Sequence, residues 1–251
     1  MKIISASRRC DMVAFQKDYL KKKYRDMGDD AFWVFWTKNP KNLIDFDLDY
    51  TRSALQLTVT GLGGTDLERG VPEPAVVMAE VEKLVSKGFN PDLINWRFDP
   101  IIPGYSRIKT ATVLADQFAA MGVTRCMTSF ITWYGPVKTR WPEGEKTQVS
   151  RQREKAIIQE LHNMLQSKGI VLYGCAQPHL TGLIQPSKCI DGEHYGNVTG
   201  RSFNNGKDFS QRQACGCTVS VDIGKYTPCG HKCLYCYAVP EEEAHQEPSL
   251  F

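Results

Sequence analysis

The sequence has no apolar run near the roughly 18 residues that would cross a bilayer, which argues against a helical membrane span. Its opening, MKIISASRRCD, holds an apolar stretch too short for the core of a secretory signal. A cytosolic protein with reduced cysteines and no membrane partner is therefore expected. Strong charge of either sign is also missing: the net charge is +3, which neither marks nor excludes a nucleic-acid binder. Before residue 190 there is no low-complexity segment and no long polar linker. GLGG at 61–64 lacks the full G-x-G-x-x-G spacing, and the next helix starts too late, so a dinucleotide fingerprint is excluded.

What remains is an ordinary globular composition, 42% hydrophobic and 24% charged, over 251 residues. That length permits one α/β barrel or two small domains. The middle of the chain repeats one arrangement, an amphipathic helix stopped by glycine and followed by an apolar run. Val77, Met78, Val81, Leu84 and Val85 form a helical stripe before Gly88, with LINWRFDPII after it. Val113, Leu114, Phe118 and Met121 precede Gly122 and VTRCMTSFITW. Ile157, Ile158, Leu161, Met164 and Leu165 precede Gly169 and IVLYGCA. KIISAS, AFWVFWT and LQLTVTG read as earlier strands, and a helix over residues 14–27 joins the first two. Six strands alternating with helices predict parallel βαβ units. Their nearly continuous apolar runs suit strands covered on both faces. An open barrel and a doubly wound sheet both fit this pattern.

Polar residues collect where the strands end: Lys38 in FWTKNP, Thr60 in TVTGLGG, Arg97 and Asp99 in WRFDP, Ser129 and Tyr134 in TSFITWYG. Ligand sites of parallel α/β folds lie at the carboxyl ends of strands. Each residue alone reads as a cap or turn former, whereas the repeated placement predicts a shared pocket. TWYGPVKTRW at 132–141 is a basic and aromatic stretch, suited to stacking a base or to lining a surface loop.

After residue 175 the texture becomes rich in Gly, Asn, Ser and Pro. Seven of the nine cysteines fall there, so a metal would supply order that a hydrophobic core does not. Two units are expected: a core over 1–174, and a cysteine-rich segment over 175–251 that closes the same domain. Cys229, Cys233 and Cys236 have C-x3-C-x2-C spacing. Three thiolates on one loop can hold three irons of a 4Fe–4S cluster and leave the fourth open; a zinc site including His231 is the alternative. Cys175, Cys189, Cys215 and Cys217 would hold a second 4Fe–4S cluster, a zinc ion, or nothing. Cys126 reads as a small core residue, and Cys10 lies at a strand end near the expected pocket. PEEEAHQEPSLF reads as a loosely held acidic tail.

CGHKCLYC resembles the C-x3-C-x-aromatic-C signature of radical S-adenosylmethionine enzymes. The wider stretch QRQACGCTVSVDIGKYTPCGHKCLYCYA, with SASRR, FWTKNP, WRFDPI and CID, is similar to a bacterial domain-of-unknown-function family. That family is described as carrying such a cluster at its carboxyl end. CLYCYA and TKNP are also similar to elements of the spore photoproduct lyase branch. The resemblance implies a circularly permuted partial (β/α)6 TIM-like barrel, with the iron–sulfur loop after the last strand instead of the first. It implies S-adenosylmethionine as cofactor and a low-potential flavodoxin- or ferredoxin-like electron donor. It also implies reductive cofactor cleavage to a 5′-deoxyadenosyl radical, with a nucleic acid, nucleotide or nucleoside as substrate. Under it, Tyr235 would lie near the adenine. Lys38, Thr60, Ser129 and Arg8 would bind the cofactor, while Arg97, Asp99, Tyr134 and Cys10 would serve the chemistry, Cys10 as a hydrogen-atom donor. Two rival readings are a radical enzyme acting on a peptide or small metabolite, and a metal-stabilised nucleic-acid-binding module without catalysis.

Overall fold

A computed structural model describes residues 1–238; the acidic tail expected at 240–251 lies outside the described residues. In chain order the strands are β1 (Lys2–Ala6), β2 (Ala31–Thr37), β3 (Ser53–Thr58), β4 (Ile94–Arg97), β5 (Arg125–Thr128), β6 (Val171–Gly174), β7 (Gln185–Pro186) and β8 (Val221–Asp222). The α-helices are α1 (Met12–Phe15), α2 (Lys17–Asp26), α3 (Lys41–Ile44), α4 (Pro74–Ser86), α5 (Ile108–Ala120), α6 (Gly135–Arg140), α7 (Arg151–Gln166) and α8 (Gly192–Thr199). The six strands expected from the apolar runs are all present, and two short edge strands join them.

The eight strands form one parallel sheet in the order β7-β6-β5-β4-β3-β2-β1-β8. A doubly wound sheet needs a reversal of strand order at its centre. Here β1 to β7 run in strict succession, and β8 arrives at the far edge beside β1. The doubly wound alternative is therefore set aside.

Register separates the two faces. Trp33, Phe35, Leu55, Leu57 and Trp96 share one face. Tyr24 of α2 packs on Trp33, and Phe118 of α5 stacks on Trp96 with ring centroids 4.8 Å apart. Ser5, Trp36, Gln56, Asn95, Arg97, Arg125 and Asp222 share the opposite face. That face is covered by the chain between β7 and β8, where Tyr195 of α8 stacks on Phe32 at 4.8 Å. One side of the sheet is thus an apolar helix-packed core. The other is a polar interior lidded by the cysteine-rich segment.

Three details depart from the periodicity. The first long helix divides at Gln16, which has φ −131° and ψ 40°. Its side chain is drawn to Thr227 Oγ1 (3.2 Å) and Cys10 Sγ (3.6 Å), so a tertiary contact overrides helix continuation. In α5, Val113 is 54% exposed, and Ala111 and Ala115 face the core in its place. The segment after residue 175 is not wholly irregular, because α8 lies inside it. Asp191 caps its start by accepting from the His194 N–H, and Gly200 ends it in the left-handed region at φ 70°. The capping pair in CIDGEHYGNVTG was the available signal; the helix is too short to show a stripe. Among the described residues, no helix is long and apolar enough to cross a membrane.

Candidate functional site

Two groups of cysteines occupy the carboxyl-end side of the sheet. The first is the loop carrying Cys229, Cys233 and Cys236. It is sewn to the turn between β3 and α4: the Gly70 N–H donates to His231 O (3.0 Å), the Leu234 N–H to Leu67 O (3.1 Å), and Glu68 and Cys233 form an antiparallel bridge. Gly70 is required by proximity. A Cβ there would stand 2.0 Å from Gly230 O and 2.9 Å from the His231 Cα. His231 Nε2 lies 2.7 Å from Asp11 Oδ2, in the turn after β1, and Phe15 meets the imidazole edge-on. Arg140 of α6 donates to the carbonyl oxygens of Cys236 and Leu234. The loop is therefore held by the chain that follows β1, β2 and β3, and by the helix that follows β5.

Beneath it lies a buried polar knot. Lys38 Nζ donates to Glu68 Oε1 (2.8 Å) and to the Tyr235 hydroxyl oxygen (2.9 Å). Thr60 Oγ1 donates to the same carboxylate oxygen (2.8 Å), as does the Tyr235 hydroxyl. Burial alone would push the Glu68 carboxyl up. The Lys38 charge and the hydrogen bonds from Lys38, Tyr235 and Thr60 outweigh it and hold the group below its ordinary value. Burial and then the Glu68 charge push the Tyr235 hydroxyl well up. Burial pushes the Cys233 thiol up to about 12 against the pull of Lys38, with Glu68, Cys236 and Cys229 adding to the rise. Burial also raises Cys229, although the backbone N–H groups of His231 and Asp11 favour its thiolate.

The second group, Cys175, Cys189, Cys215 and Cys217, comes from three separate stretches. Cys175 and Cys189 have their sulfurs 3.7 Å apart. The Ile190 N–H, next in the chain to Cys189, donates to Cys217 Sγ (3.4 Å), and Cys215 lies two positions before Cys217. Among the described residues, and with the side chains as they stand, no three His, Cys, Asp or Glu form a group that could hold a metal ion. Arg97 Nη1 donates to Cys189 Sγ at 3.0 Å, and Ser187 Oγ lies 3.2 Å from the same sulfur. The Cys175 and Cys217 thiols, with Arg97, hold Cys189 well below the usual thiol range. Hydrogen bonds from Cys217 bring Cys215 down to about 6 despite burial.

Arg97 also pairs with Asp99, which accepts from Ser129 Oγ. Its guanidinium lies over the Trp36 ring at 5.1 Å from the centroid, and Arg8 lies over the same ring at 5.6 Å. Arg8, Arg97, Asp99 and Ser129 are thus gathered near the four-cysteine group. Lys38, Thr60 and Tyr235 are gathered at the loop. Tyr134 stands at the rim, 38% exposed, with Tyr237 at 5.7 Å and Arg212 Nη1 3.4 Å from its hydroxyl. Cys10 is half-buried beside Gln16 and Thr227, and burial raises its thiol. Cys126 is fully buried in the apolar core, as expected. The basic and aromatic stretch is only partly a free surface: Lys138 pairs with Glu145 at 2.8 Å, Trp141 is buried, and Arg140 serves the loop. Glu68 and Asp11 are not among the expected site residues, and His231, considered as a zinc ligand, instead meets Asp11 and the Gly70 carbonyl oxygen. Glu68 sits inside a glycine-rich turn with no periodicity, and only the rarity of a buried acid, visible in three dimensions, marks it.

Fold and site together define an α/β protein whose parallel strands run in succession and whose carboxyl-end face is clothed by cysteine-bearing chain. Residues 26–238 match a domain of unknown function (DUF1848), and the chain belongs to that family. Neither the curated proteins nor the solved structures contain a match to it.

Proposed function

We propose that this protein is a radical S-adenosylmethionine enzyme built on a permuted partial (β/α) barrel. The observation that carries the reading is the docking of the Cys229–Cys233–Cys236 loop on the turns after β1, β2 and β3. Successive parallel strands, helices on one face and polar side chains on the other suit a barrel segment. The placement of β8 beside β1 suits a cluster loop moved from the first crossover to the end of the last one.

The residues fit an anionic thiolate-bound cluster. Arg140 Nε and Nη1 are buried without a hydrogen-bond partner, and the Arg140 guanidinium is close enough to Cys236 and Cys233 to respond to their charge. A thiolate cluster would supply the missing anion. Cys229, Cys233 and Cys236 would hold it, and with bound S-adenosylmethionine it would supply reductive carbon–sulfur cleavage to a 5′-deoxyadenosyl radical. The Lys38–Glu68–Tyr235 knot fixes the loop from below. Cys233 is almost fully buried, so water is kept from one side of the loop.

For the substrate we favour a nucleotide-bearing molecule. Tyr134, Tyr237 and Tyr226 are exposed, with Arg212 against Tyr134 and Arg9 over Tyr226. Exposed aromatic and guanidinium groups stack bases and hold phosphates. Anaerobic protein should contain about four irons per chain bound by the loop. Once reduced with S-adenosylmethionine it should release 5′-deoxyadenosine. Cys233→Ala should abolish that release, and cleavage retained by the variant would refute the ligand assignment. Binding of single-stranded DNA or RNA should weaken steeply with salt. Absence of binding at low salt would favour a small metabolite or peptide.

A further inference from the structure

We infer that Cys175, Cys189, Cys215 and Cys217 form a second, closed metal centre that takes one tetrahedral thiophilic ion of the Zn2+ type. This assignment does not rest on the radical-enzyme reading, since it uses no residue of the 229–236 loop.

The four ligands converge from distant chain positions. Cys175 follows β6, Cys189 follows β7, and Cys215 and Cys217 lie in the stretch before β8. Free cysteines filling a core would be expected against apolar side chains. Here the Cys175 and Cys189 sulfurs stand 3.7 Å apart. A tetrahedral ion with metal–sulfur bonds of about 2.3 Å sets its sulfurs about 3.8 Å apart, so the contact already has the length of a tetrahedral edge. A cubane has a metal–sulfide core between its outer thiolates and spreads them wider.

The surroundings are those of thiolates. Arg97 Nη1 donates to Cys189 Sγ (3.0 Å), Ser187 Oγ lies 3.2 Å from it, and the Ile190 N–H donates to Cys217 Sγ (3.4 Å). Donors aimed at sulfur from outside are the usual support of a metal-bound thiolate. Four thiolates around a divalent ion leave two negative charges. Arg97, Arg8 and Arg212 lie close enough to these sulfurs to respond to their charge, with Asp99 and Asp208 as their carboxylate partners. All four positions of the ion would be filled by protein, so the centre is structural. It ties the segment lying on the polar sheet face to the end of β6.

The test uses the full chain carrying Cys229→Ala, Cys233→Ala and Cys236→Ala, which removes the loop ligands. After expression with zinc, elemental analysis should find one zinc per chain and no acid-labile sulfide. Exchange for Co2+ should give the intense red-region absorption of a tetrahedral thiolate site. Added Cys215→Ser should weaken ion retention against a chromophoric chelator by more than the roughly 10–100-fold that outer-shell changes cost. Ser187→Ala should fall within that range. Stoichiometric iron with sulfide in the triple variant would overturn the single-ion assignment in favour of a cluster. A folded triple variant holding less than about a tenth of an ion per chain, or a Cys175–Cys189 disulfide found by mass spectrometry of protein kept reduced, would overturn the site itself. Loss of 5′-deoxyadenosine release from wild-type protein would leave this centre untouched, so the two readings fail separately.

Discussion

Replacing Glu68 by Gln tests whether the buried knot anchors the cysteine loop. The substitution keeps the shape and an oxygen for Thr60, and it removes the charge that Lys38 and Tyr235 address. Breaking a buried ion pair from one side costs about 3–5 kcal/mol, since the remaining charge is left uncompensated. The Lys38 side chain keeps 15% of its exposure and still reaches the Tyr235 hydroxyl, so the lower end, about 3 kcal/mol, is expected. For a chain of this size that predicts a melting temperature lower by roughly 6–12 °C at pH 7. The sign of the pH dependence follows from the depressed Glu68 carboxyl. Its contribution is fully present above the unfolded value of about 4.3, and it is lost as pH falls through the lower folded value. The gap between wild type and variant should therefore hold steady from pH 6 to 8 and begin to close below about pH 4.3. Thermal melts followed by circular dichroism at several pH values measure both. A fall of less than about 2 °C, or a gap independent of pH, would refute the reasoning.

Gly70→Ala should displace the loop, because its Cβ would meet Gly230 backbone and not a movable side-chain tip; a loss of about 1–3 kcal/mol in urea unfolding is expected, together with poorer iron retention. Leu161→Ala in α7 should cost about 2–5 kcal/mol through a core cavity, with metal content unchanged per folded chain. Arg140→Ala should reduce iron incorporation by the loop more than Lys138→Ala does, since Arg140 meets the loop carbonyl oxygens whereas Lys138 pairs with Glu145 near the surface. Equal effects of the two would refute the charge-compensating role of Arg140.

The legible part of the fold was the part with a period. Leu84, Leu114, Phe118 and Leu161 repeat along helix faces, and the apolar runs between them became β4, β5 and β6. Tertiary contacts set what the period could not. Gln16 leaves the helix for Thr227, and Val113 gives its core place to Ala111 and Ala115. The strand-end clusters put Lys38, Thr60, Arg97 and Asp99 at one end of the sheet, because parallel topology brings the carboxyl end of every strand to the same side. They did not reveal that Lys38 would pair with Glu68 or that Arg97 would reach Cys189. Those partners lie 30 and 92 positions away, and no local pattern encodes such distances. The convergence of four scattered cysteines was likewise legible only as a possibility of composition.

The crossing of the chain from one sheet edge to the other, between β7 and β8, has a consequence for biosynthesis. Translation runs from the amino end, and a nascent chain folds as it emerges. The turns after β1, β2 and β3 are therefore made long before the cysteines that settle on them. The scaffold can mature on the ribosome while the most oxidisable side chains are still unmade. Any metal those cysteines hold would enter a receptacle that is already shaped.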